Sequence, residues 1–144
     1  MAEKDYTAAR TGLPWDGSAK DKVFFLKGTF DFATTPLANA DSAKLFPIKA
    51  GWEVRNVFTK IVTPEDGAVA FTIGKTAGAT EFEGDGAAGA AAGTMARGIG
   101  GTDAGVTANG QLYTADGFLY LDGAADLDTA VIEVVAEVAN IFCA

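Results

Sequence analysis

The stretch TAVIEVVAEVANIF, residues 129–142, fits two kinds of secondary structure, and the choice between them decides the fold class. As a helix, it would place its larger apolar side chains on one stripe, with Glu133 and Glu137 opposite. As a strand, it would place four apolar residues on one face: Ile132, Val134, Ala136 and Val138. Six of the twelve residues from 131 to 142 are β-branched, which lowers helix propensity and suits a pleated surface. The sequence therefore predicts a strand.

Alternation with a period of two recurs upstream. Residues 22–32 form an aromatic-rich pattern interrupted at Gly28, and residues 51–62 form a second, whose slipping alternation predicts a β-bulge. The segment Thr63-Pro64-Glu65-Asp66-Gly67 carries a turn signal, and the alternation resumes after it, so a hairpin is predicted here. Strands joined by turns without long helical segments indicate an all-β fold: an antiparallel β-sandwich, jelly-roll-like or a small barrel.

The aromatic residues at strand spacing are predicted to form the core. They are Phe24, Phe25, Phe30, Phe32, Trp52, Phe58, Phe71 and Phe118. A chain of 144 residues is long enough for one domain with a core of its own.

Two regions differ in character. Residues 1–20 are polar, with isolated apolar points, and are predicted to form an irregular, extended N-terminal arm. Residues 21–144 are predicted to form a single β-sandwich domain, with a Gly/Ala-rich loop at about 84–105. In the arm, Tyr6, Leu13 and Trp15 are candidate partner contacts. Trp15 suits docking in a partner's pocket, and it equally suits covering an edge of its own sandwich.

Charge and composition exclude several classes of function. The net charge of −8 and the lack of a Lys/Arg cluster argue against nucleic acid and against an anionic membrane surface as partners. The polar start has no apolar run typical of a signal peptide, and no window approaches the about 20 apolar residues of a membrane span. The single cysteine, Cys143, cannot form an intrachain disulfide, so synthesis in a reducing cytoplasm is indicated.

Two glycine patterns resemble nucleotide-binding motifs. Gly84–Gly89 matches G-x-G-x-x-G, but 15 of the 22 residues from 84 to 105 are Gly or Ala, and the next segment is too glycine-rich for the required helix. Gly74-Lys75-Thr76 lacks the upstream glycine of a P-loop. We interpret both as chance matches and predict no cofactor. The Gly/Ala segment then suits either a flexible connection or close packing between subunits.

Catalytic and metal chemistry are not predicted. The chain has no histidine, which removes the commonest general base and the usual zinc ligand. The densest acidic group is Asp122, Asp126 and Asp128, whose spacing does not follow the calcium-binding EF-hand rule. The sequence therefore predicts no catalytic residue and no metal site, and the chain is not expected to be an enzyme.

Two segments carry a resemblance to a known group of proteins. They are AGWEVRNVFTKIVTPEDGAVAFTIGKT, residues 50–76, and ANGQLYTADGFLYLDGAADLDTAVIEVVAEVANIF, residues 108–142. With the arm and the Gly/Ala-rich middle, they resemble the head decoration, or cement, proteins of tailed bacteriophages and their prophages.

The resemblance implies a β-rich domain, commonly a homotrimer, on the capsid exterior of the virion. Its partners would be the major capsid protein, whose subunits it would bridge and stabilise, and other copies of itself. No individual functional residue is implied. The alternative from a different class is a sugar- or receptor-binding β-sandwich module of a phage fibre, tail or bacterial surface, in which Trp52 or Tyr120 would bind glycans.

Overall fold

The computed structural model describes residues 2–5, 10–11, 23–97 and 110–141, and regular structure in these ranges is entirely β. The strands are β1 (Glu3–Asp5), β2 (Arg10–Thr11), β3 (Val23–Asp31), β4 (Ser42–Ile48), β5 (Trp52–Thr63), β6 (Ala70–Gly74), β7 (Glu83–Ala87), β8 (Met95–Arg97), β9 (Gln111–Leu112), β10 (Gly117–Gly123) and β11 (Val131–Asn140). Within the described ranges, no helix of membrane-spanning length and hydropathy occurs.

The strands form two sheets packed face to face. Sheet A has the order β1-β4-β10-β6-β7, and sheet B has the order β2-β3-β11-β5-β8, with β9 also pairing with β5. Every pairing is antiparallel except that between β1 and β4, which is parallel. The predicted all-β sandwich is confirmed.

Strand order identifies the sandwich as a jelly roll. Without the short strands β1, β2 and β9, the two sheets read β4-β10-β6-β7 and β3-β11-β5-β8. Each strand is followed in the chain by one from the other sheet, except that β6 and β7 are neighbours in the same sheet. Eight strands connected in this way are the double-sheet arrangement of jelly rolls. Of the three predicted architectures, the jelly-roll-like one is the structure adopted.

The prediction that residues 129–142 contain a strand is confirmed by β11. This strand lies between β3 and β5 in sheet B and pairs with β3 without interruption from Val131 to Ala139. Its predicted inward face is fully buried: Ile132, Val134, Ala136 and Val138. The opposite face is only partly covered. Because β11 has a strand on each side, its β-branched residues contribute both to pairing and to the core.

The predicted bulge in the second strand is also confirmed. The register between β5 and β11 shifts twice, between Val131 and Ile132 and between Glu137 and Val138. The interruption expected at Gly28 is wrong, because β3 continues through this residue and pairs it with Val134.

The predicted hairpin around residues 63–67 is wrong. Strand β5 belongs to sheet B and β6 to sheet A, so the connecting residues 64–69 cross from one sheet to the other. The turn chemistry itself is present, because Gly67 has the positive φ of 117° that glycine accepts without strain. A turn signal predicts that the chain changes direction, but it does not specify which sheet receives the next strand.

The core fills the space between the inner faces of the sheets. Phe30 of β3 and Phe46 of β4 meet edge to face across this space, with ring centroids 5.6 Å apart. Of the predicted core aromatics, four are buried: Phe30, Phe32, Trp52 and Phe71. Three others are half-buried: Phe24, Phe58 and Phe118.

For Phe25 the core prediction is wrong, because its side chain is 53% exposed. It lies on the outward side of β3, next to the inward Leu26, as strand alternation requires.

The loop after β5 contains a buried carboxylate that the sequence gives no reason to expect. Glu65 is only 6% exposed and accepts hydrogen bonds from the backbone N–H groups of Asp128, Thr129 and Ala130, the last at 2.9 Å. It also accepts a hydrogen bond from the Thr129 hydroxyl at 2.9 Å. These donors lie in the connection from β10 to β11. Glu65 therefore links the connection that follows β5 to the connection that precedes β11.

The hydrogen bonds to Glu65 determine its charge state. Burial by itself would raise the pKa of this carboxyl, but the bonds from Ala130, Thr129 and Asp128 outweigh burial and hold the pKa below its ordinary value. The neighbouring Asp128 has a raised pKa because its side chain hydrogen-bonds to Glu65. Of the two carboxyls, Glu65 is the one whose ionised form the fold stabilises.

Replacing Glu65 tests this connection. E65Q substitutes an N–H donor for one acceptor oxygen and removes the charge, leaving buried N–H groups without an acceptor. We expect a loss of about 2 kcal/mol or more in the free energy of unfolding, measured by urea denaturation. The control D66N removes the same charge from the exposed neighbour and should change stability by less than about 0.5 kcal/mol. Equal effects of the two substitutions would contradict the assigned role.

The pH dependence of stability provides a second test. A carboxyl whose pKa is lowered on folding stabilises the fold fully above its ordinary pKa of about 4.3, and this stabilisation is lost as pH falls through the lowered value. The raised pKa of Asp128 makes the free energy of unfolding change with pH in the opposite sense, so both proteins compared carry D128N. There, the free energy of unfolding should fall more steeply below about pH 4.3 with Glu65 than with Gln at this position. Parallel pH profiles would show that Glu65 carries no such stabilisation.

Candidate interaction surfaces

The predicted arm contributes one edge strand to each sheet in its described part. Strand β1 pairs with β4 in sheet A, and β2 pairs with β3 in sheet B. Both edges lie on the same side of the sandwich, whereas β7 and β8 form the opposite side. Tyr6, Leu13 and Trp15, the predicted partner contacts, lie outside the described residues.

Charged side chains attach β1 to its own sandwich. Glu3 forms an ion pair with Lys44 of β4 at 2.7 Å. The ammonium of Lys4 donates to the carbonyl of Pro36 at 2.8 Å and lies 3.8 Å from Asp41. The described arm segments are thus held on the sandwich itself, β1 on β4 and β2 on β3.

The Gly/Ala-rich segment includes two edge strands, β7 and β8. Residues 84–87 of the G-x-G-x-x-G match lie in β7, and a turn rather than a helix follows them. A dinucleotide site of this kind needs a helix N-terminus at that point, so the motif match is accidental. In the described residues, Gly86 instead permits close packing: a Cβ there would lie 2.4 Å from the ring of Phe71.

An open cleft of about 570 Å³ lies on sheet A, beside Lys75, Tyr113, Phe118 and Tyr120. The ammonium of Lys75 donates to the carbonyl of Leu112 at 3.0 Å and lies 5.1 Å from the centre of the Tyr113 ring. The Tyr113 hydroxyl donates to the carbonyl of Phe118 at 3.0 Å, and burial raises its pKa far above the ordinary value, so it remains a donor.

The aromatic rings near this cleft are already engaged. Lys44 lies 4.7 Å from the centre of the Phe118 ring, and Tyr120 packs edge to face against that same ring. Trp52, a glycan contact in the alternative hypothesis, is only 7% exposed and packs edge to face on Phe24 with centroids 4.9 Å apart. A stacked sugar needs an open aromatic face, so the assignment of Trp52 to sugar binding is wrong. Tyr120, the other glycan contact in that hypothesis, does line the cleft.

The acidic group at residues 122–128 serves the loops around it. Asp122 accepts hydrogen bonds from the Ser42 hydroxyl and from the backbone of Gly78, the latter at 2.7 Å. Asp126 accepts one from the backbone of Asn39 at 2.8 Å. No cluster of three His, Cys, Asp or Glu residues arranged to hold a metal occurs among the described residues. These carboxylates bind backbone N–H groups of different segments.

Two solved structures contain a chain with this fold. A chain of the cyanophage Pam1 capsid asymmetric unit superposes with a TM-score of 0.60 at 18% identity, over 94% of this chain and 96% of that one. A chain of the capsid of Ralstonia phage GP4 gives a TM-score of 0.62 at 13% identity, over 96% and 97%. No protein-family model and no curated protein matches the chain. At these identities, the likeness establishes a shared fold.

Substitution of Gly86 tests whether the small residues of β7 are required for packing. In G86A the added methyl group meets the buried Phe71 ring, so we expect a loss of about 1–3 kcal/mol in the free energy of unfolding, measured by urea denaturation. The adjacent substitution A87S adds an atom at an exposed position and should cost less than about 0.5 kcal/mol. If G86A is as stable as A87S, β7 tolerates a side chain at this position, and Gly86 is not required for packing against Phe71.

Proposed function

We propose that this protein is a virion structural protein, a decoration or cement protein on the outside of a phage capsid that bridges and stabilises subunits of the major capsid protein. The observation that carries the proposal is the shared fold: the jelly roll superposes on chains of two phage capsid structures over nearly the full length of both partners. Residues 50–76 and 108–142 resemble cement proteins in sequence, which supports the same function independently of the fold.

The architecture supports a role in assembly rather than catalysis. Jelly rolls serve as viral capsid domains, in which the outer surfaces of the sheets and the loops make the contacts. In the described residues, the best-connected carboxylate, Glu65, binds backbone N–H groups and so strengthens the scaffold. We infer that the protein is not an enzyme and that its function depends on contact area.

Such a protein stabilises a shell through repetition. A single modest interface gives weak binding, but copies that each contact several capsid subunits gain from multivalency and symmetry. The arm would extend these contacts onto neighbouring subunits, with Tyr6, Leu13 and Trp15 as its apolar anchors. Strands β2 and β3, which precede and follow Leu13 and Trp15 in the chain, pair with each other at one edge of sheet B. The trimeric state implied by the resemblance would triple the number of anchors in each unit.

Reconstitution tests the proposal. The purified chain is added to empty shells assembled from the major capsid protein of the same phage and lacking this chain. We expect saturable binding at a fixed number of copies per shell, density on the exterior by electron cryomicroscopy, and a higher temperature of shell disruption. Absence of binding, or density only inside the shell, would refute the proposed role on the capsid exterior.

The arm contacts are tested by substitution rather than deletion, because deletion would also remove β1 and β2. The double substitution L13A/W15A should reduce shell binding at least about tenfold, measured by co-sedimentation with shells. The control Y120A removes an aromatic ring from the cleft on sheet A and should bind normally. If L13A/W15A binds shells as tightly as the wild type, these residues are not partner contacts.

A further inference from the structure

Exposed apolar residues are concentrated on one face of the sandwich. Among the described residues, four large hydrophobic side chains are at least 42% exposed, and all belong to strands of sheet B: Val23, Phe25, Val62 and Met95. Phe25 is 53% exposed and Met95 is 70% exposed. Sheet A contributes none to this group. The outer face of sheet B is therefore the face on which burial would remove most apolar surface from water.

The register joins two of these residues, Phe25 and Met95, into a strip through two half-buried residues between them. Val135 of β11 pairs directly with Phe58 of β5. Phe25 of β3 pairs with Glu137, two residues along β11 from Val135, and Met95 of β8 pairs with Lys60, two residues along β5 from Phe58. The four apolar residues thus follow a diagonal across β3, β11, β5 and β8, which we call the sheet B strip. With about 4.8 Å between strands, it is about 14 Å wide.

Charged residues of both signs flank the strip. Lys27 and Glu133 form an ion pair at 3.6 Å, and Lys60 lies directly across from Glu133 in the register. On the other side, the Asn56 amide donates to Glu137 at 2.6 Å. These flanking residues contribute two positive and two negative charges, and Arg97 of β8, across from Phe58 in the register, adds one positive charge, whereas the whole chain carries −8. The face is thus close to neutral within a strongly acidic protein.

Charge balance indicates which partner suits this face. Two copies of a chain with net charge −8 repel each other wherever their acidic surfaces meet. That repulsion is smallest at a neutral face, and an apolar centre with an internally paired polar rim is the anatomy of a protein interface. Strands β3, β11, β5 and β8 have 9, 10, 12 and 3 residues, so at about 3.3 Å per residue and about 4.8 Å between strands their face projects about 540 Å². This is of the order of the about 800 Å² that each partner buries in a stable complex.

We propose that the sheet B strip packs against a second copy of this chain. The inference goes beyond the proposed capsid role, because it assigns the self-association surface and does not depend on binding to a shell. Phe25 and Met95 form its most exposed apolar contacts, and Val135 with Phe58 forms its centre. The charges of both signs at its rim, including Lys27, Glu133 and Lys60, keep the repulsion between two such faces small.

The double substitution F25K/M95E tests the proposal without changing the net charge. Lys at position 25 would lie across from Glu137, and Glu at position 95 across from Lys60, so each new charge has an opposite partner within its own sheet. Sedimentation velocity over a range of concentrations measures the mass. We expect the wild type to be oligomeric and F25K/M95E to self-associate at least about tenfold more weakly, with an unchanged circular dichroism spectrum.

A matched control introduces the same two charges elsewhere. T76K/A115E places them at exposed positions in loops beside sheet A and should retain wild-type self-association. Three results would overturn the proposal: a monomeric wild type, equal self-association of F25K/M95E and the wild type, or equal weakening by both double variants. Loss of shell binding by F25K/M95E with an unchanged oligomer would reassign the strip to a shell partner. It would leave the capsid role standing, so the two proposals fail separately.

Discussion

Burial of one face of β11 against the opposing sheet is the constraint on which the rest of this structure depends. Four consecutive inward side chains, Ile132, Val134, Ala136 and Val138, are fully covered, and the strand has a hydrogen-bonded neighbour on each side. A central strand of this kind leaves no backbone group of its inner part exposed to water, and its register aligns β3 and β5. The order of sheet B follows from these two pairings.

In a jelly roll, the connections between the two sheets need hydrogen-bond acceptors for their backbone N–H groups. Nearly every strand is followed by one in the other sheet, so the connections run over the ends of the sandwich and carry backbone N–H groups that need acceptors. Carboxylates supply several of them: Glu65 binds the connection from β10 to β11, and Asp126 binds Asn39 in the connection from β3 to β4. Asp122 does the same for Gly78 in the connection from β6 to β7 within sheet A. Part of the acidity of this chain therefore has a structural explanation, because charged acceptors form stronger hydrogen bonds than neutral ones.

The outer surfaces divide into regions with different physical character. The side formed by β3 and β4 receives the arm strands, the outer face of sheet A carries a cleft whose rings are engaged by lysines, and the outer face of sheet B is apolar at its centre and neutral around it. Under the proposed function, shell contacts would fall to the arm and self-association to the sheet B strip. These two surfaces begin on neighbouring strands, because β2 of the arm pairs with β3, which carries Phe25.

Local sequence determined the features that depend on near neighbours in the chain. The β-branched content of residues 131–142 predicted β11, the slipping alternation predicted the bulges of β5, and the glycine density after Gly84 excluded a phosphate-binding helix. Each follows from backbone propensity, which acts over a few residues. The tertiary structure alone decided that β5 and β6 belong to different sheets, that Glu65 is buried on the 128–130 backbone, and that Phe25 faces outward. These outcomes depend on contacts between residues far apart in the chain, 65 positions for Glu65 and Ala130, and no local pattern specifies which distant segment will supply a hydrogen-bond donor or cover a face.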